Sequence, residues 1–142
     1  MRTRHQSRIT SLTFFLDRNL GRHVVADALR QAGVDVQVHD DHFRRDAEDE
    51  EWLQEVGRRG WVVLTRDRRI RYRSHERAAL MQAGVRAFVL VAGNLSGPEM
   101  GEVFVKALPA MRRFMARHQP PFIARVTRSG AVSLLIGTED DR

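Results

Sequence analysis

Short apolar runs alternate with longer segments of helical period along this chain, and their order predicts the architecture. Thr13-Phe14-Phe15-Leu16 is a short apolar strand that ends in Asp17. Val24, Val25, Ala28 and Leu29 then fall on one face of a helix over about Arg22 to Ala32, and Gly33 stands where a C-cap glycine belongs. Val34 to Val38 alternates apolar and polar residues, as a strand near a sheet edge does. Trp52, Leu53 and Val56 form the buried stripe of a helix from roughly Asp49 to Arg58, and Gly57-Arg58-Arg59-Gly60 reads as the breaker after it. Trp61 to Leu64 is continuously apolar, the mark of a parallel strand buried on both faces, and it runs into Thr65-Arg66-Asp67. A helix over about Ser74 to Ala83, closed by Gly84, and a strand from Val85 to Ala92 follow. Strand and helix in this alternation predict an α/β fold with a parallel sheet and right-handed crossovers.

Beyond Gly93-Asn94-Leu95, the sequence Ser96-Gly97-Pro98-Glu99 carries the signs of a helix start: a capping serine, proline in the first turn, and glutamate three positions after the serine. Met100, Val103, Phe104, Ala107, Leu108, Met111, Phe114 and Met115 extend one apolar stripe to about Arg117, so Pro109 is expected to bend this helix without ending it. Pro120-Pro121 is a hard stop. Phe122 to Thr127 and Ala131 to Ile136 flank Arg128-Ser129-Gly130 as a β-hairpin, with a polar tail from Gly137 and a polar, basic lead before Leu12. A chain of 142 residues suits one domain, with a core over about 12–92 and a C-terminal helix and hairpin over about 96–137.

Charge narrows the chemistry. The 24 basic and 18 acidic side chains give a net charge of +6, and Lys106 is the one basic residue that is not arginine. Arginine's planar fork suits bidentate contacts to phosphate, which points to a polyanionic partner. There is no cysteine, which excludes disulfides and thiolate metal sites and fits a reducing compartment. No apolar stretch approaches the roughly 20 residues that span a bilayer, and the arginine-rich start lacks the apolar core of a signal peptide. The expected location is the cytoplasm, without a membrane partner.

Two buried strands each deliver a carboxylate, Asp17 and Asp67, and in open α/β sheets the site lies beyond the carboxyl ends of the strands. Asp49 at a helix start is the third candidate, with Asp46, Glu48, Glu50 and Glu51 as competitors for its place. Each taken alone has a bland role, a helix cap for Asp17 and a solvated first turn for the acidic run. Together, three carboxylates without His or Cys ligands are the hard oxygen set that Mg²⁺ or Mn²⁺ prefers. Arg66, Arg68, Arg69, Arg71 and Arg73, with Arg44 and Arg45 on another loop, would serve either as local ion pairs or as a phosphate clamp beside such an ion. His39 and His42 stand in an exposed loop, a weak pattern for zinc.

Phe15-Leu16-Asp17-Arg18-Asn19-Leu20-Gly21, Asp49-Glu50-Glu51-Trp52-Leu53 and Gly60-Trp61-Val62-Val63-Leu64-Thr65-Arg66-Asp67 together resemble a PIN-like nuclease, in particular the VapC-type toxin branch. Ile70, Glu76-Arg77-Ala78-Ala79-Leu80 and Pro120-Pro121-Phe122-Ile123-Ala124 extend the resemblance over most of the chain. It implies a three-layer α/β/α fold with a mainly parallel central sheet, an acidic cluster binding Mg²⁺ or Mn²⁺, endonucleolytic cleavage of RNA, and a cognate antitoxin. Asp17, Asp49 and Asp67 match the acidic positions, and Thr65 matches the small hydroxyl residue before the last of them. The resemblance departs after Asp67, where Arg68 and Arg69 replace a further acid that Glu76 would have to supply. Arg66, Arg68, Arg69 and Arg71 are the expected RNA contacts. The striped C-terminal helix is expected to bury part of its surface on the hairpin and part on an antitoxin segment or a second subunit of a homodimer.

A haloacid-dehalogenase-type phosphatase would need an aspartate two residues after Asp17, where Asn19 stands. A non-catalytic RNA-binding or partner-binding module is the remaining alternative, because it needs the arginines without the carboxylates.

Overall fold

The computed structural model describes residues 12–70 and 72–137, so the basic lead, the tail after Gly137 and Arg71 lie outside the described residues. Its elements are β1 (Thr13–Leu16), α1 (Val24–Gln31), β2 (Asp35–Val38), α2 (Asp49–Arg59), β3 (Val62–Thr65), α3 (Ser74–Gln82), β4 (Arg86–Leu90), α4 (Gly97–Arg117), β5 (Phe122–Val126) and β6 (Val132–Gly137). The strands form one sheet in the order β2-β1-β3-β4-β5-β6. All neighbouring pairs run parallel up to β5, and only β5 and β6 are antiparallel.

Side chains alternate across each strand, and both faces of the sheet are covered. Phe14, Leu16, Val62, Leu64, Phe88 and Leu90 point to the face covered by α1 and α4. Phe15, Val63, Ala87 and Val89 point to the other, where they meet Trp52, Leu53 and Val56 of α2 and Leu80 of α3. This is a three-layer α/β/α arrangement with a mainly parallel sheet, and the apolar runs at β1 and β3 are continuous because neither face of those strands meets water. Among the described residues no helix is long and apolar enough to cross a membrane.

The hairpin is not an appendage. β5 pairs in parallel with β4 from Arg86↔Phe122 to Leu90↔Val126, so the C-terminal segment extends the same sheet. To reach β5 the chain crosses over through α4 on the α1 face, whereas the step from β3 to β4 in the same direction uses α3 on the opposite face. The β4-to-β5 crossover therefore has the opposite hand to the three before it, a departure from the rule that parallel crossovers share one hand. The reason is coverage. With α2 and α3 on one face, α1 alone would leave much of the other face exposed, and α4 lies beside α1 to close it. Close approach of these helices needs Gly101, where an added Cβ would sit 2.9 Å from the Ala28 Cβ.

Helix α4 starts at the expected capping box, with the Ser96 hydroxyl accepting from the Glu99 amide (3.2 Å) and the Glu99 carboxylate accepting from the Ser96 amide (2.8 Å). It runs unbroken through Pro109, which lies on its exposed side. The loss of one helix bond there costs about 3 kcal/mol. Burial of Met100, Val103, Phe104, Leu108, Met111 and Phe114 outweighs it, at about 1.5–3 kcal/mol for each large side chain.

Two boundaries differ from expectation. The first helix begins at Val24, because Arg18–Leu20 forms its own 3-10 turn that ends at Gly21 with φ +79. Gly57 is not a breaker: α2 continues to Arg59, and Gly60, in the left-handed region at φ +72, ends it. Gly57 is there for packing, since a Cβ would lie 2.3 Å from the Ala83 carbonyl oxygen at the end of α3. Gly→Ala inside an exposed helix ordinarily stabilises by about 0.5–1 kcal/mol. Here overpacking against backbone reverses the sign, and Gly57→Ala is expected to destabilise by about 1–3 kcal/mol. Thermal melts should show a fall of about 4 °C per kcal/mol for a chain of this size, and a rise would remove the packing role.

Candidate active site

The order β2-β1-β3 means that the chain leaves β1 on one side and returns on the other, so connections diverge at the carboxyl ends of β1 and β3. That divergence opens a crevice. Asp17 lies in it, one residue past β1, with its amide donating to the Leu64 carbonyl (3.0 Å) and so continuing the β1–β3 ladder. Its carboxylate caps the 3-10 turn, accepting from the Arg18 amide (2.6 Å).

Thr65, the last residue of β3, is fully buried and ties the turn after β1 to the loop after β3. Its hydroxyl donates to the Asp17 carboxylate (2.8 Å) and accepts from the Asn19 side-chain amide (3.1 Å) and the Asp67 backbone amide (3.1 Å). Asn19 closes the loop by accepting from the Arg66 amide (3.2 Å).

Burial pushes the Asp17 carboxyl above its ordinary value of 3.8. The hydrogen bonds from Thr65 and the Arg18 amide oppose that shift, and the charge of Asp49 reinforces it. Asp49 is thus close enough for its charge to act on Asp17, across from it at the start of α2. Its carboxylate accepts from the Trp52 indole N–H (2.9 Å), one turn along the helix. Trp52 is itself fixed in an aromatic cluster with Phe15 (5.4 Å between ring centroids) and His39 (5.8 Å). The neighbouring acids face elsewhere: Asp46 is exposed and pairs with Arg44 (3.2 Å), and Glu50 borders the groove between α2 and α3.

Asp67 is differently engaged. Its carboxylate accepts from the Arg69 amide (3.1 Å), forming a local turn, and pairs with Arg73 (3.2 Å). Arg73 also holds Glu76 (3.2 Å), a half-buried residue at the start of α3 and not a free surface acid. Among the described residues no three His, Cys, Asp or Glu side chains come close enough to hold a metal ion together. The charge of Asp49 acts on Asp17, while Asp67 and Glu76 share an arginine.

His39 departs from its expected exposure. It is buried, bonded to Asp40 (3.1 Å), whose carboxyl it holds below the usual range, and packed among Phe15, Phe43 and Trp52. His42 turns outward to Gln37 (2.6 Å) and the Trp61 ring, so the two histidines diverge and form no zinc pair.

Beside Asp67 and Asn19 opens a cleft of about 930 Å³ lined by Arg66, Arg68, Arg69 and Arg73. Arg125 of β5 and Tyr72 complete its walls. Sequence reasoning passed over both, because assigning the hairpin to an extension removed Arg125 from the site and Tyr72 is a lone aromatic in a charged loop. The apolar neighbours on either side of Arg125 in a strand were the available signal.

An open parallel sheet with carboxylates at its switch point and an arginine-lined cleft alongside define the class of this α/β domain. The chain belongs to the PIN-like domain family, whose family model, described as "PIN like domain", matches residues 12–92. It is also 28% identical over 125 residues to the Mycobacterium tuberculosis protein named "Putative ribonuclease VapC45", covering 85% of this chain and 90% of that protein. No solved structure matches significantly.

The raised Asp17 pKa makes a signed prediction. A carboxyl that holds its proton more tightly when folded adds stability below the unfolded value and loses it as pH rises through the folded one. Asp17→Asn has no such loss, and its missing hydrogen-bond capacity does not vary with pH. The melting temperature of Asp17→Asn minus that of the parent should therefore grow more positive between about pH 3 and pH 7. A flat difference would show that burial does not strain this carboxylate.

Proposed function

We propose that this chain is an endoribonuclease that cuts RNA phosphodiester bonds at the crevice between the ends of β1 and β3, and that it acts as the toxin of a toxin–antitoxin pair in the cytoplasm. The observation that carries this reading is the half-buried Asp17, braced by Thr65 and under the charge of Asp49, in a bonded network whose Asn19 and Asp67 line the arginine cleft. Family membership and the name of the relative support it. The antitoxin is what the VapC-type resemblance implies, and a homodimer rests on the apolar stripe of α4.

Mg²⁺ or Mn²⁺ is the cofactor in this reading. Mg²⁺ commonly binds through one or two carboxylates, waters and substrate phosphate, and Asp17 with Asp49 offers that donor set. Asp67 would join them only by giving up Arg73. When bound, such an ion lowers the pKa of water and neutralises charge on a phosphoryl oxygen. The protein's own groups do the rest. Thr65 fixes the orientation of Asp17, and Trp52 that of Asp49. Asp67 anchors the loop that presents Arg66, Arg68, Arg69 and, outside the described residues, Arg71 to the phosphates. Glu76 serves the same anchor through Arg73.

Cleavage of end-labelled RNA with Mn²⁺ tests the chemistry. Asp17→Asn is expected to lose at least about 100-fold in rate while remaining folded, as does removal of the ion by chelator. The occupied Asp67 carboxylate favours a second reading, a non-catalytic RNA-binding module. RNA binding without any cleavage by the parent chain would establish that alternative.

The arginines are expected to supply affinity. Replacing Arg68 and Arg69 by Ala removes two phosphate contacts, and the slope of log affinity against log salt should fall by about 1.4 for single-stranded RNA. An unchanged slope would move the binding face elsewhere.

A further inference from the structure

Tyr72 is the one tyrosine of the chain and one of two large apolar side chains left exposed among the described residues, at 68%. It stands on the wall of the arginine cleft. Most of its surface is therefore open to a ligand in that cleft. Its backbone is held in place: the Tyr72 amide donates to the Arg69 carbonyl (2.9 Å), and the following residue, Arg73, is pinned by Asp67 and Glu76 (both 3.2 Å). The ring is thus carried on backbone that is anchored at Tyr72 and Arg73. Around it lie Arg68 and Arg69 on its own segment and Arg125 across the cleft, and Arg125 is itself oriented by a bond from its Nε to the Ser133 hydroxyl (2.8 Å). Val91 and Leu135, each only partly buried, add apolar surface to the same cleft.

We propose that Tyr72 is a base-stacking residue, over which an unpaired base of the RNA lies while the flanking phosphates rest on Arg68, Arg69 and Arg125. This rests on the ribonuclease reading and adds to it the residue that recognises a base. Phosphate contacts by arginine are blind to base pairing, whereas an aromatic face can take only a base whose own faces are free. The positive walls of the cleft favour this occupant over an apolar peptide, which would leave the guanidinium groups without counter-charge. A duplex, with its bases stacked on one another, would engage the arginines and pass Tyr72 by.

The test is equilibrium binding, by fluorescence anisotropy, of one labelled oligoribonucleotide, single-stranded and as a duplex, on the Asp17→Asn background so that the RNA stays intact. Tyr72→Ala is expected to weaken single-strand binding about 5- to 150-fold and leave duplex binding unchanged, while Tyr72→Phe binds nearly as the parent. A 2-aminopurine placed along the strand should be quenched at one position by the parent and by Tyr72→Phe, and not by Tyr72→Ala. A thermal melt of Tyr72→Ala matching that of the parent separates loss of binding from loss of fold. Unchanged single-strand affinity in Tyr72→Ala, or an equal loss on duplex, overturns the stacking role and leaves the ribonuclease reading standing. A parent chain that binds no RNA removes both.

Discussion

The hydrogen bond from Thr65 to Asp17 is the contact on which the site depends. It is made at the last rung of the β1–β3 ladder, where the parallel strands end and their connections turn opposite ways. A buried hydroxyl left without partners costs about 1–3 kcal/mol, so Thr65 is committed to the polar groups that converge on it. Those groups come from the turn after β1 and the loop after β3. One side chain thereby fixes the relative position of two segments that are otherwise joined only through the sheet, and it does so with the catalytic candidate itself as acceptor.

The electrostatics around this contact divide in two. At Asp17, burial outweighs two hydrogen bonds and no cation is paired with the carboxylate among the described ion pairs, so its charge is poorly compensated. At Asp67, an amide and a guanidinium provide the compensation. Equivalent positions after two neighbouring strands thus carry carboxylates of different character. A poorly compensated carboxylate favours a proton or a cation, whereas a compensated one stabilises its loop. In the proposed reaction this difference assigns the chemistry to Asp17 and the presentation of arginines to Asp67.

Much of the fold was legible because the apolar pattern is a direct consequence of burial. Continuous runs marked β1 and β3, alternation marked the edge strand β2, and the Ser96–Glu99 capping box marked the start of α4. What the pattern could not carry was anything set by contact between distant segments. The glycine at position 57 looks the same in sequence whether it breaks a helix or admits Ala83, and His39 looks like any loop histidine until Phe15, Phe43 and Trp52 close around it. The carboxylates were visible as candidates from their places at strand and helix ends. Their engagement was not, because the arginine that occupies Asp67 is one of several in the same loop and only the fold selects Arg73.

The opposite-handed crossover through α4 links the fold to the site. Had α4 lain on the face of α2 and α3, the α1 face over β3 and β4 would have lacked cover. By crossing on the α1 face, α4 closes that layer and still delivers β5 to the free edge of β4, in parallel and in register from Phe122 to Val126. That register sets Arg125 beside Val89, one strand over from Thr65. The same side chain then stands across the cleft from the arginine loop. A segment whose first physical task is to cover the sheet thereby supplies the far wall of the arginine-lined cleft.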